Sequence, residues 1–297
     1  MATDVPVIGG REFATCATGI WVELHKKGIL SMKSIHSKAA SLGKWAVSVL
    51  SLMQLGLGSA AATELCSAQS GPTRAAVIEL YTSEGCSSCP PADKWLSTLK
   101  ASAASTGSVI QAFHVGYWDY IGWVDRFASP AHTTRQRKIA SLNRLTSIYT
   151  PQAVRDGRDW PDWGRSASTG LLAGKEPAGV NIALREVATD QFEAVITPSL
   201  NELGQELKTG TWSAYWSVTE HGHSSKVKSG ENAGELLRHD YVVRQYTQAG
   251  DYSLAIKTPQ KLSWRSIAAT PGHPRQVNLV VYDPKTGKTL QALSASC

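Results

Sequence analysis

A buried strand that runs straight into a Cys-x-x-Cys-Pro-Pro loop, and from there into a helix, is the strongest constraint in this chain. Residues 75–81 form a continuous apolar run interrupted only by Glu79, and Thr82, Ser83, Glu84, Gly85 and Cys86 follow at once. A run of this length and texture fits a buried strand. Pro90 and Pro91 stand where a first helical turn tolerates proline, because the N–H groups of that turn have no intrahelical acceptor. Beyond them Ala92, Trp95, Leu96, Leu99 and Ala103 recur at helical spacing.

Disulfide exchange needs one thiolate to attack and a second thiol close enough to resolve the mixed disulfide. Cys86 and Cys89 at a helix start meet both needs. The spacing places Cys86 at or just before the first turn, where unpaired N–H groups and the helix dipole favour a thiolate. It places Cys89 one turn in and less exposed. Ser87 and Ser88 can donate to the Cys86 sulfur, while Glu84 opposes the thiolate by like-charge repulsion. Other uses of the pair stay open. A local structural disulfide needs no turnover, and Cu(I) suits Cys86, Cys89 and one histidine. Zinc normally wants a second matching pair, which is missing. No metal ligand and no cofactor is assigned from these residues.

A second strand is expected over residues 108–115. An aromatic stretch over 116–123 follows, and then a helix opening near Ser129 and Pro130 and running to Leu145. Two strands separated by a helix imply a right-handed parallel crossover. Tyr149, Thr150 and Pro151 lead into residues 152–155, and Asp156-Gly157 marks a hairpin with a return strand through Trp160 and Trp163. This order predicts an α/β thioredoxin-like domain over residues 75–176. After Pro177 the chain changes to short alternating segments at 180–185, 191–196, 211–220, 241–248, 252–256 and 277–282. These predict a mostly antiparallel β domain over residues 177–297.

The 30 basic residues exceed the 24 acidic ones by six, without an arginine-rich arm or basic run, so nucleic acid is not an expected partner. The first 62 residues hold half of that excess, and Lys33, Lys38 and Lys44 precede a short apolar stretch over residues 45–57. Ser59, Ala60, Ala61 and Ala62 then form a small-residue cleavage site, so residues 1–62 read as an upstream segment and signal peptide. The mature chain is expected to begin at Thr63 and to open with a linker over 63–74. The apolar stretch falls short of the roughly 20 residues of a spanning helix, so no membrane anchor survives cleavage. A periplasmic or secreted protein follows, in a compartment where disulfides persist. Four mature cysteines allow three complete pairings, and local use of the adjacent pair leaves Cys66 to bond Cys297.

The run from Val77 through Glu84-Gly-Cys-Ser-Ser-Cys-Pro-Pro-Ala-Asp93 resembles the signature of an exported bacterial family, domain of unknown function 1223, of the thioredoxin-like superfamily. The resemblance continues through His114-Val-Gly-Tyr-Trp-Asp-Tyr-Ile-Gly-Trp123, Phe127-Ala-Ser-Pro130, Tyr149-Thr-Pro-Gln152 and His239-Asp-Tyr-Val-Val-Arg244. It implies a cis proline at Pro151, across from the cysteine pair. The functional expectation is a thiol:disulfide oxidoreductase acting on protein thiols or disulfides. Cys86 attacks, Cys89 resolves, and Pro151, Thr150, Trp118 and His114 meet the substrate. A metal- or partner-binding module and a non-catalytic structural protein are the alternatives.

Other polar residues carry two readings each. His114 is a proton shuttle or ligand, or else a hydrogen-bonded structural residue. Trp118, Tyr120 and Trp123 hold an apolar peptide or pack a core. Asp119 and Asp125 form a carboxylate pair with no evident third partner, and His221 and His223 form a chelating pair or an exposed turn. Glu231, Asn232, His239, Asp240 and Arg244 read most simply as a hydrogen-bonded interface with the first domain.

Overall fold

The structure, a computed structural model, describes residues 65–165, 172, 174–199, 210–254 and 258–297. The expected leader, its cleavage site and the start at Thr63 lie outside the described residues. So do Ala255 and Ile256 of the expected strand over 252–256.

The Cys-Pro-Pro segment folds as its local chemistry dictates. Strand β2 (Val77–Thr82) is buried along its whole length, β1 being Ser67–Gln69. Cys89 caps helix α1 (Pro90–Thr98), whose first two positions are the prolines. The chain turns at Leu99 into α2 (Lys100–Thr106), which stops at Gly107 in the left-handed conformation, φ 67°. Strand β3 (Val109–His114) pairs with β2 in parallel, from Val77 opposite Val109 to Thr82 opposite His114. Helix α3 (Pro130–Leu142) starts where Ser129 Oγ accepts from the Ala131 N–H, with Pro130 in the first turn. It ends three residues short of Leu145, and Asn143 Nδ2 donates to the carbonyls of Ile139 and Gly157.

Strand β4 (Gln152–Arg155) lies antiparallel on the other edge of β2 and turns through Asp156 and Gly157 into β5 (Arg158–Asp159). Both turn residues have positive φ, 50° and 79°, as a tight hairpin with right-handed strand twist requires. The return strand is shorter than expected. Trp160 adds one backbone bond to Ala153, and Trp163 begins a 3-10 turn.

The remaining strands are β6 (Val180–Ala188), β7 (Gln191–Pro198), β8 (Thr211–Glu220), β9 (His223–Lys226), β10 (Leu236–His239), β11 (Val242–Ser253), β12 (Gln260–Arg265), β13 (Arg275–Tyr282) and β14 (Thr289–Ser296). Their pairing overturns the expected fold class, an α/β thioredoxin-like domain followed by a mostly antiparallel β domain. The described residues form fourteen strands in three sheets against three α-helices, so the protein is mostly β. The largest sheet has eight strands in the order β14-β13-β8-β11-β3-β2-β4-β5. Strand β11 joins the free edge of β3 in parallel, with Val242 opposite Ala112 and the Ala112 N–H donating to the Tyr241 carbonyl. Periodicity along 75–115 registers each segment's own repeat but says nothing of which distant strand satisfies its edge.

Three apolar clusters fill the layers. Ile78, Leu80, Ile110 and Ala112 pack under α1 and α2 with Ala92, Leu96 and Leu99. The alternate residues Val77, Tyr81, Val109 and Phe113 point the other way, towards Ile139 of α3 and Tyr215 of β8. A four-stranded sheet, β1-β6-β7-β12, packs Ile182, Phe192 and Leu262 against Trp212, Trp216 and Leu279 of the large sheet. Residues 67–69, expected to be linker, are strand because β6 supplies their partners, Ser67 opposite Arg185. The Cys66–Cys297 disulfide ties that strand to the end of β14. No described helix is long and apolar enough to cross a membrane.

Candidate functional site

Cys86 and Cys89 are joined as a disulfide in the loop between β2 and α1. The first helical residue is Pro90 with Cys89 as the cap, so Cys86 lies three residues ahead of the cap rather than in the first turn. Cys86 is only 2% exposed, against the expectation of an accessible attacking sulfur, and Cys89 is fully buried. Ser87 and Ser88 carry the exposed surface of the loop. Ser88 Oγ lies 3.4 Å from Cys86 Sγ, whereas the Ser87 N–H donates to Glu231 Oε2 at 3.0 Å. Asn232 Nδ2 clasps the loop from the same side, donating to the Glu84 carbonyl at 2.9 Å and the Cys86 carbonyl at 3.0 Å.

Beneath the loop lies a buried cluster of acids and imidazoles. Alternation in β2 and β3 turns Thr82 and His114 to the side of Leu80 and Ala112, facing α1. Helix α1 places Asp93 there, since it is three residues before buried Leu96 and one after buried Ala92. Strand β10 contributes its last residue, His239, and the loop before α3 contributes Asp125. His114 Nδ1 is 2.7 Å from Asp125 Oδ2, which also accepts the Glu84 N–H at 2.9 Å. Asp125 Oδ1 accepts the Phe127 N–H at 2.9 Å. His239 Nε2 lies 3.2 Å from Glu84 Oε1 and its Nδ1 3.8 Å from Asp93 Oδ1, ion-pair distances without aligned hydrogen bonds. Thr82 Oγ1 donates to Asp93 Oδ2 and Trp123 Nε1 to Glu84 Oε2. The His114 and His239 rings meet edge to face, 4.9 Å between centroids, with Phe127 against both.

The electrostatics follow from burial and from these partners. Burial disfavours the His239 cation, but Asp93 and Glu84 outweigh it and hold the imidazole up at about 9. Burial raises and His239 lowers the Glu84 carboxyl, with a net downward shift. Asp125 is likewise held below its usual range by His114, against the cost of its burial. Asp119, whose Oδ1 accepts the Asp125 N–H, is pushed up by burial and by the facing Asp125 and Glu84 charges.

The residues expected to meet a substrate are brought partly together. Thr150-Pro151 is a cis peptide bond. Thr150 Oγ1 accepts from Trp118 Nε1 at 2.7 Å, and Trp118 packs so closely on Gly85 that an added Cβ there would sit 3.0 Å from Trp118 Cβ. Thr150, Trp118 and the cysteine loop are thus contiguous, and Tyr120, 80% exposed, stacks beside Trp118. His114 instead belongs to the interior cluster. His221 and His223 diverge: His221 faces Asp240, while His223 is 2.9 Å from Glu220 and stacks on His273.

Of the polar set read as an interface, Glu231, Asn232, His239 and Asp240 bind the segment from Glu84 to Lys100, the last through Lys100 Nζ at 2.6 Å. Arg244 pairs with Glu220. Sequence reasoning missed Asp93 as part of a site and gave Asp125 no third partner. The signal for Asp93 was present, because it shares the apolar helix stripe with Cys89 and Leu96.

A family model described as "Protein of unknown function (DUF1223)" matches residues 77–282. No curated protein matches the sequence at a significant level. Among solved structures, a crystal structure of an Agrobacterium tumefaciens protein is similar over 76% of this chain and 95% of its own. The identity is 22% and the TM-score 0.50, a likeness of fold alone. HBP35 of Porphyromonas gingivalis is similar over 76% of both chains at 12% identity, with a TM-score of 0.49.

Proposed function

This chain belongs to the family described as protein of unknown function (DUF1223), and from that premise we propose that it is an exported protein that exchanges disulfides with protein thiols through Cys86 and Cys89. The observation that carries the reading is a short-range disulfide set between the exposed Ser87-Ser88 turn and the Trp118–Thr150 contact. A partner thiolate attacks Cys86 Sγ, the Cys86–Cys89 bond breaks, and Cys89 leaves as a thiolate that takes up a proton. A second partner thiol attacks the mixed disulfide. The partner gains one disulfide, and its two thiol protons end on Cys86 and Cys89. The reverse sequence reduces a partner disulfide. Access to the buried Cys86 requires release of the Ser87 N–H from Glu231 Oε2. Trp118, Thr150 and exposed Tyr120 offer an aromatic platform for an extended partner segment, with cis Pro151 adjacent in sequence. Two disulfides suit an oxidising compartment, as the sequence before Thr63 does.

The burial of both sulfurs favours a second reading, in which the loop disulfide is purely structural. Equilibration in glutathione buffers, with alkylation and mass mapping, separates the two. Exchange predicts reversible opening of Cys86–Cys89 at a potential in the range of about −120 to −270 mV typical of exchange proteins, with Cys66–Cys297 intact. A loop disulfide that stays closed below about −300 mV would identify it as structural.

A further inference from the structure

We propose that Asp93, His114 and His239 form a three-ligand binding site, with a fourth position left open, for a divalent transition-metal ion of the zinc class. The proposal is independent of disulfide exchange, since both cysteines are already bonded to each other. One donor atom from each of Asp93, His114 and His239 lies within 4.8 Å of the others, and all three residues are buried. In a tetrahedral site with bonds of about 2.0 to 2.2 Å, ligand atoms stand roughly 3.3 Å apart. The donors therefore need to draw in by rotamer-scale shifts.

The state of the individual atoms points to a ligand. His114 Nδ1 is engaged by the Asp125 carboxylate at 2.7 Å, which leaves Nε2 as the ring nitrogen open to a ligand. Nε2 is fully buried and has no hydrogen-bond partner. Both ring nitrogens of His239 and the Glu84 Oε1 atom are likewise buried without one. Buried polar atoms are almost always paired, so a His114 Nε2 with no partner, beside a His239 ring held only by unaligned ion pairs, needs an explanation. The carboxylate–imidazole arrangement of Asp125 and His114 is the outer shell that orients a metal-bound histidine.

Charge argues the same way. Glu84, Asp93 and Asp125 are three buried carboxylates, and among the described residues the basic groups that pair with them are the two imidazoles of His114 and His239, with no lysine or arginine. A dication offsets that excess. Two imidazoles with a carboxylate fit zinc or a neighbouring first-row ion. Calcium and magnesium take oxygen ligands, and Cu(I) prefers thiolates.

The test uses the full chain with both disulfides formed, stripped with a chelator and then offered Zn2+ or Co2+. Expected results are one ion per chain by elemental analysis, and a Co2+ spectrum without thiolate charge transfer. Affinity should fall by about a hundredfold or more in His114→Gln and His239→Gln, and by roughly 10 to 100-fold in Asp125→Asn, which disturbs only the outer shell. Uptake should persist in the Cys86→Ser, Cys89→Ser double variant. If either histidine variant does not fold, the NMR spectrum of Co2+-loaded wild type decides through two paramagnetically shifted imidazoles. Failure of the wild type to take up Zn2+ and Co2+ would overturn the site. So would undiminished uptake in folded histidine variants, loss of uptake in the cysteine variant alone, or fewer than two shifted imidazoles.

Discussion

Each face of the strand pair β2–β3 buries a charged cluster, and the two are completed differently. Under α3, Glu79 accepts from Arg135 through both carboxylate oxygens, Nε reaching Oε2 at 3.0 Å, and from the hydroxyls of Tyr81 at 2.7 Å and Tyr215 at 3.1 Å. Gln111 Nε2 donates to the Tyr215 hydroxyl, and the Arg135 guanidinium lies 4.0 Å over the Tyr215 ring. Burial, with Glu79 beside them, pushes both phenols well up. Under α1, by contrast, Glu84, His114 and His239 leave four polar atoms without a hydrogen bond. A completed network holds a core together, because every desolvated group has been given a bond in exchange for water. An incomplete one keeps donor atoms available, at a cost in stability, for a ligand.

The two disulfides divide along the same line, and separating them should give the largest effect. Cys66–Cys297 spans 231 positions and Cys86–Cys89 three. Loop-closure entropy assigns the first about 5 kcal/mol and the second about 2. The Cys66→Ser, Cys297→Ser variant should therefore lose more stability in urea than the Cys86→Ser, Cys89→Ser variant; equal losses would break the distinction between long-range tether and local loop.

Arg135→Met comes next. It leaves Glu79 buried without its cation and should cost about 3 to 5 kcal/mol in chemical denaturation. A loss below 1 kcal/mol would show that the α3-face network is not what holds that side of the sheet.

Glu84→Gln should cost less, about 1 to 3 kcal/mol, because it removes one charge from a cluster already rich in carboxylates while Trp123 Nε1 keeps an acceptor. Finding it as damaging as Arg135→Met would erase the contrast between the two faces. The smallest expected effect is that of Tyr120→Ala, since Tyr120 is exposed and stacks only beside Trp118. Stability should change by less than about 0.5 kcal/mol, while exchange with an extended peptide dithiol slows a few-fold in stopped-flow kinetics. An unchanged rate would remove the aromatic platform from the proposed docking surface.

Much of the local structure was legible in the residues. Strand β2, the prolines opening α1, the Ser129-Pro130 start of α3 and the Asp156-Gly157 hairpin all lie where short-range chemistry places them. The Cys66–Cys297 pairing followed from counting. Strands β9, β10 and β12 did not stand out, because His223–Lys226 is wholly polar, Leu236–His239 is only four residues long and Gln260–Arg265 alternates only weakly. Trp118 and Thr150, singled out from the residues together with the thiols, lie next to the cysteine loop. Glu84 was read as a repulsive neighbour of Cys86, although its side chain turns inward to His239 and Trp123.

By itself the sequence determined the segments: a strand-loop-helix unit carrying two cysteines, a tight hairpin, and a run of short strands with alternating burial. Tertiary structure alone decided that β11 closes onto β3, making the protein mostly β, and that Asp93, His114, Asp125 and His239 share one buried space. The physical reason is range. Helix caps, proline placement and positive-φ turns act across a few residues, whereas Asn232 reaches the Glu84 carbonyl across 148 positions. No local periodicity encodes such a contact, because it depends on which strand edge the returning chain finds unsatisfied.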